Sequence, residues 1–225
     1  LPPVFGLGAL DMRAVAGLTM VQGLFAAASG SLRHSRYGFF NRALVIYMGS
    51  TIALTSLIGA VVSRFVESYT LSVIFASLAL LASALMLIPK KEYIEEPSNG
   101  QKIYFNRPLA IAIAAVIGFL GGLVGQGGAF ILIPLMIYVL RLPTRVTLGS
   151  CLGIVFFSAL AGFAGKLCTG QIDLFLAVFL VAGAIPGAQL GGFLSQRLSA
   201  ASLRYLLGVF LLIAAMKMWY EFLCK

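Results

Sequence analysis

The sequence predicts an all-α polytopic membrane protein built from two homologous four-segment repeats, about eight segments when complete. Three observations carry that prediction. The first is composition: 60% of the 225 residues are hydrophobic, only 10% are charged, and the mean hydropathy is +1.02. A soluble domain carries roughly 25% charged residues. The second is the length of the apolar runs, most of them near the ~20 residues that cross a ~30 Å hydrocarbon core. They lack the alternation of a membrane barrel strand. The third is an internal match: shifting the chain by 132 positions aligns Met12–Ile88 with Thr144–Tyr220 without a gap.

The runs follow in order. Met12–Leu32, Leu44–Ser63 and Leu71–Pro89 lie in the first repeat; Leu109–Leu140, Val146–Gly165, Leu174–Leu194 and Leu203–Phe222 lie in the second. Between them, Lys90–Arg107 (KKEYIEEPSNGQKIYFNR) is a hydrophilic linker, so the expected division is 1–89, 90–107 and 108–225. Under the shift Gly17 meets Gly149, Gly30 meets Gly162, Gly38 meets Gly170 and Gly59 meets Gly191. Chance would give fewer than one such coincidence, and glycines mark special backbone positions. The first repeat has no counterpart of Leu109–Leu140, which reads as a segment missing ahead of residue 1.

Leu109–Leu140 spans 32 residues, about 48 Å if wholly helical, too long for one straight crossing. Its glycine-rich centre, GFLGGLVGQGGAFILIP from Gly118 to Pro134, supplies a break, either in a bent helix or in a re-entrant hairpin. Non-helical backbone at membrane depth is tolerated where protein or a wet cavity surrounds it. A single crossing puts ten of the sixteen Lys/Arg on one face, and a hairpin puts eleven there. Both readings place the linker in the cytoplasm by the positive-inside rule, and the hairpin makes the repeats inverted.

The net charge of +9 is scattered singly through loops, a topology signal rather than a nucleic-acid surface. Cys151, Cys168 and Cys224 form no even-numbered framework, so no disulfide scaffold is implied. All seven acids lie in loops or near segment ends, which argues against a carboxylate relay and a cation site. No paired carboxylates, HExxH or Ser–His pair is present, so the chain is not read as an enzyme. No metal or cofactor is expected.

What remains suits an anion. Gly125, Gln126, Gly127 and Gly128 offer an open backbone ahead of a helical run starting near Ala129, and a helix N-terminus carries unpaired donors and partial positive charge. Gly118, Gly121 and Gly122 read first as packing glycines. Thr19 aligns with Cys151, beside Ser150, and with Gln22 these side chains serve either as neutral anion donors or as ordinary interhelical bonds. His34 and Lys166 occupy equivalent places in two G-x₃-basic-x₃-G stretches; they are pathway charges or loop charges. Cys168 is either a packed cysteine or a lowered-pKa thiol beside Lys166. Gln189, beside a Pro/Gly kink, stays open.

GFLGGLVGQGGAFILIPLMIYVLRLP, followed by RVTLGSCLGIV, GKLCTGQID and GAIPGAQLGGFLSQRLSAASLRYLLGVFLL, resembles the TauE/SafE sulfite exporter family, from about Gly118 to Met218 with a weaker echo across Ala14–Pro89. The resemblance implies two four-helix repeats and movement of sulfite or sulfur-containing organic anions, often outward. The family's glycine-rich block falls on Gly125, Gly127 and Gly128, and its proline on Pro134. Its usual G-T-S is Gly149-Ser150-Cys151 here, its frequent histidine is Lys166, and its third block glycine is Ala129. The expectation is a secondary transporter of a small sulfur-containing anion in a bacterial inner membrane, exporting by alternating access around a midplane site. Its partners are that anion and the lipid bilayer, with homo-oligomer formation left open. The lack of buried acids favours uniport, or an ion held by backbone carbonyls, over a carboxylate relay. The other reading is a non-transporting membrane scaffold.

Overall fold

The structure is a computed structural model that describes residues 12–34, 41–88, 106–125, 128–172, 174–197 and 200–223. The described residues form eight α-helices. These are α1 (Met12–His34), α2 (Arg42–Val62), α3 (Ser68–Leu87), α4 (Arg107–Val124), α5 (Ala129–Tyr138), α6 (Thr144–Cys168), α7 (Leu174–Arg197) and α8 (Ala200–Leu223), with a 3-10 turn at Ser63–Phe65 after α2. Most of the linker and residues 1–11 lie outside the described residues.

Local signals explain several boundaries. Asn41 caps α2, its side chain accepting from Leu44 N at 3.1 Å, and Asn106 caps α4 in the same way, ahead of Pro108 in the first turn. Such side chains take up N–H groups that a helix start leaves unpaired. α4 stops at Gly125, left-handed at φ 87°, and α5 starts after Gly128, left-handed at φ 72°. That conformation costs an ordinary L-residue roughly 1–2 kcal/mol.

Four helical stretches are long and apolar enough to cross a membrane: Arg42–Phe65, Ser68–Leu87, Arg107–Val124 and Val146–Cys168. Phe175–Gly191 and Tyr205–Tyr220 are shorter apolar stretches. α1 carries Arg13, Gln22, Ser29, Ser31, Arg33 and His34 and falls outside both sets. The surface has the polarity that lipid demands. Phe65, Phe175 and Phe210 are at least 70% exposed, while Ser56, Ser63, Ser83, Ser150 and Lys166 are fully buried.

The contacts give direction. Arg107 lies over the Tyr47 ring, and Gly118 and Gly122 press on Ile52 and Ser56, so α4 runs parallel to α2. Asn41 meets Ser150 and Ser63 meets Lys166, so α6 also runs parallel to α2. The chain therefore doubles back between α4 and α6. α5 supplies the return, parallel to α3 through Phe75–Phe130 and Tyr138–Ile88. α1 runs antiparallel to α6, with Gly30 at Leu152 and Gly17 at Gln171. α6 sits at the centre, packed by α1, α2 and α5. The α2–α4 seam is closed by glycines from both sides: a Cβ at Gly59 would overlap Phe119, and one at Gly122 would overlap Ser56. Those glycines pack helices, as small residues do in membranes.

Candidate functional site

The break between α4 and α5 is held from outside by α1. Thr19 Oγ1 lies 2.9 Å from Gly125 O, 2.9 Å from Val15 O and 3.2 Å from Ala16 O. A hydroxyl has one proton to donate, so Thr19 chooses between its own helix and the end of α4. A Cβ at Gly125 would overlap Ala16, which leaves glycine alone able to fill the position. Gly128 O accepts from Leu132 N at 2.9 Å and starts α5. Pro134 inside α5 withholds an N–H from the helix ladder. The N-terminus of α5, with its partial positive charge, thus opens on the break. Gln126 and Gly127 lie outside the described residues.

The neighbour of Ala16 faces a second polar group. A Cβ at Gly17 would overlap the Gln171 carbonyl, and Gln171 belongs to a closed cluster with Lys166, Ser63 and Thr169. Lys166 Nζ donates to Ser63 Oγ at 2.9 Å and to Gln171 Oε1 at 3.3 Å. Ser63 Oγ donates to Ala60 O at 2.6 Å, Gln171 Nε2 to Thr169 Oγ1 at 2.6 Å, and Thr169 Oγ1 to Gly165 O at 2.9 Å. Lys166 is fully buried in the last turn of α6, not a solvated loop charge. Its bonds among the described residues go to neutral acceptors. Ala16 and Gly17 therefore join the break and the lysine cluster through two consecutive residues of α1.

The remaining candidates lie elsewhere. Ser150 Oγ accepts from Asn41 N at 3.1 Å, beside buried Cys151. Gly162 presses on Met20, which sets the depth of Thr19 on α6. Cys151 is eleven residues earlier, about 16 Å down the helix axis. Gln22, one turn after Thr19 on α1, lines a cavity of about 340 Å³ with Phe179, Gly183 and Gly187 of α7. Gln189 donates to Ser29, an interhelical bond. His34 ends α1, and its side chain lies outside the described residues. Cys168 is exposed rather than packed. So Thr19 meets Gly125 at the break, while Ser150 and Cys151 lie farther along α6 and Gln22 lines the cavity between α1 and α7.

Sequence reading missed Ser63, Gln171 and Thr169, the partners of Lys166, and two residues of α6. Thr147 Oγ1 and Ser158 Oγ are buried without a hydrogen-bond partner among the described residues. Thr147, Ser150 and Ser158 fall within about 80° of one another around α6 and Lys166 about 80° further round, at positions 147, 150, 158 and 166. The signal was available as helical spacing, but serines and threonines are too common in membrane helices to stand out singly. Among the described residues no group of three His, Cys, Asp or Glu could hold a metal.

The model of the family "Sulfite exporter TauE/SafE" matches residues 1–218. The chain is 27% identical over 220 residues to the probable membrane transporter protein YunE of Bacillus subtilis, covering 91% of this chain and 80% of that protein. It is 28% identical over 176 residues to the probable membrane transporter protein YdhB of the same organism, covering 78% of this chain and 71% of that protein. A probable membrane transporter protein of Xylella fastidiosa is 26% identical over 148 residues, covering 66% of this chain and 56% of that protein. No solved structure matches the chain.

Proposed function

The chain belongs to the TauE/SafE sulfite exporter family, and from that membership we propose that it exports a small sulfur-containing anion along the buried face of α6. As a member it is a membrane transporter rather than an enzyme, and a multi-pass cell-membrane protein. The substrate, the direction and the route are the proposal. Sulfite or an organosulfonate fits both the family and a core whose buried charge, among the described residues, is Lys166.

The observation that carries the proposal is the row of buried polar side chains along α6: Thr147, Ser150, Ser158 and Lys166. From Thr147 to Lys166 it extends about 28 Å, close to the ~30 Å hydrocarbon thickness. In lipid, a hydroxyl without a partner is costly, and Thr147 and Ser158 both lack one among the described residues. Helices retain such groups in membranes where they meet a substrate or water. The positive end of α5 and Lys166 flank one end of this face through Ala16 and Gly17, which favours an anion over a cation.

A two-repeat, alternating-access mechanism is part of the same proposal. α1, α2 and α3 begin at Met12, Arg42 and Ser68, and α6, α7 and α8 begin at Thr144, Leu174 and Ala200, each pair separated by the same 132 residues. The doubling back between α4 and α6 supports repeats of inverted orientation, as many secondary transporters use. It also supports a cytoplasmic linker, with eleven of the sixteen Lys/Arg on that face.

The test is flux in proteoliposomes, read by ion chromatography with sulfite, sulfoacetate, sulfate, thiosulfate and chloride. The expected result is movement of one or more sulfur anions well above chloride, with Ser158→Val reducing it at least tenfold in a folded protein. Equal, protein-independent leak of all five would overturn the proposal.

A further inference from the structure

We propose that Lys166 carries one proton together with each transported anion, so that export is proton-coupled through an amine rather than a carboxylate. This rests on the transporter reading above. Among the described residues two acceptors, Ser63 Oγ and Gln171 Oε1, face Nζ. A neutral amine has two N–H bonds, and the cluster satisfies both. An ammonium has three, and the third proton finds no acceptor among the described residues. The cluster is therefore complete for the neutral amine and one acceptor short for the charged one.

An anion oxygen supplies that missing acceptor. On loading, the Nζ lone pair takes a proton from water on the loading side, and the resulting ammonium pairs with the anion. On release, the anion leaves, the proton passes to water on the far side, and Nζ returns to Ser63 and Gln171. No other bond is made or broken, and no redox partner is needed. A buried charge is tolerated when it is paired and hydrogen-bonded, which ties protonation to occupancy.

Among the described residues the surrounding charges do not supply the acceptor; Asp173 lies outside them. On α1, Arg13 Nε donates to Val66 O at 3.0 Å. Beyond Ser63, Arg64 and Glu67 are exposed. On α6 itself, Cys168 is exposed. None of them bonds Nζ. The rest of the cluster is locked: Thr169 and Gln171 hold each other, and Gly165 brings α6 against Ala60 and Leu57 of α2. Lysine is the one member whose proton count can change.

The experiment measures proton and anion movement together in proteoliposomes, with trapped pyranine and ion chromatography, in the presence of valinomycin and potassium. The probes are sulfoacetate and thiosulfate, both fully ionised above neutral pH, so that any proton moved belongs to the protein. The expected result for the wild type is one proton per anion in the same direction. Lys166→Arg, whose charge is fixed, moves no protons with any anion it still exchanges. Lys166→His keeps the proton ratio and shifts the pH at which net flux falls to lower values, because imidazole titrates near neutrality. Anion flux without protons in the wild type, or wild-type proton movement in Lys166→Arg, overturns the inference while leaving the transporter reading intact. A wild type that moves none of the five anions contradicts both.

Discussion

Thr19 Oγ1 stands 2.9 Å from Gly125 O, placing a hydroxyl of α1 against the residue where α4 stops. The same proton has an alternative acceptor in Val15 O at the same distance. Thr19→Val removes the hydroxyl and keeps the shape. It is expected to cost about 0.6 kcal/mol of stability, the average for a polar contact between membrane helices, and to lower anion flux further than that cost explains. Thr19→Ser should restore both. A melting curve in detergent paired with the flux assay checks this.

Gly125 and Gly128 both hold positive φ, but their surroundings differ. An added Cβ meets the backbone of Ala16 at Gly125 and mainly the side chain of Ile117 at Gly128. Each alanine substitution carries about 1–2 kcal/mol from the left-handed conformation alone. Gly125→Ala is therefore expected to lower the melting temperature more than Gly128→Ala, because a side chain can move where a backbone cannot. Equal melting temperatures would count against this arrangement of the break.

The α2–α4 seam separates packing glycines from free ones. Gly122→Ala drives a methyl into Ser56 and is expected to destabilise by about 1–3 kcal/mol, the usual cost of overpacking. Gly23 in α1 has nothing within 4 Å of an added Cβ. Gly23→Ala should be neutral, or stabilising by up to about 1 kcal/mol from helix propensity. Thermal melts of the two variants, run side by side, make the comparison.

Cys168 is exposed and Cys151 is buried. In a Cys224→Ser background, a membrane-impermeant thiol reagent applied to intact cells is expected to label Cys168 rapidly and Cys151 slowly or not at all. The parallel course of α2, α4 and α6 puts Cys168 opposite the Arg42 and Arg107 ends, hence outside if the linker is cytoplasmic. Labelling of Cys168 only after permeabilisation would reverse the orientation.

The membrane class was legible because lipid imposes it on composition: apolar runs face outward, as the exposed Phe65, Phe175 and Phe210 do. The direction of α5 was not legible. Charge counts for a bent helix and for a hairpin differ by one residue, whereas the course of the helices rests on contacts far apart in sequence, such as Tyr47 with Arg107 and Ser63 with Lys166. Aligning Thr19 with Cys151 suggests one shared site, yet residues matched between antiparallel helices sit at different depths, as α1 and α6 do here. Lys166 was visible as a basic residue near a segment end. Its burial depends on Ser63, 103 positions away, a pairing that no local pattern records.

The most direct test of the route along α6 is the reactivity of Ser158→Cys in a protein whose native cysteines are replaced by serine. Ser158 is fully buried, its hydroxyl unpartnered among the described residues. If the anion passes this face, a small charged methanethiosulfonate reagent modifies the new thiol, and sulfoacetate slows that modification in proportion to its occupancy. A thiol that stays inert in an actively transporting variant, with or without sulfoacetate, would contradict the route.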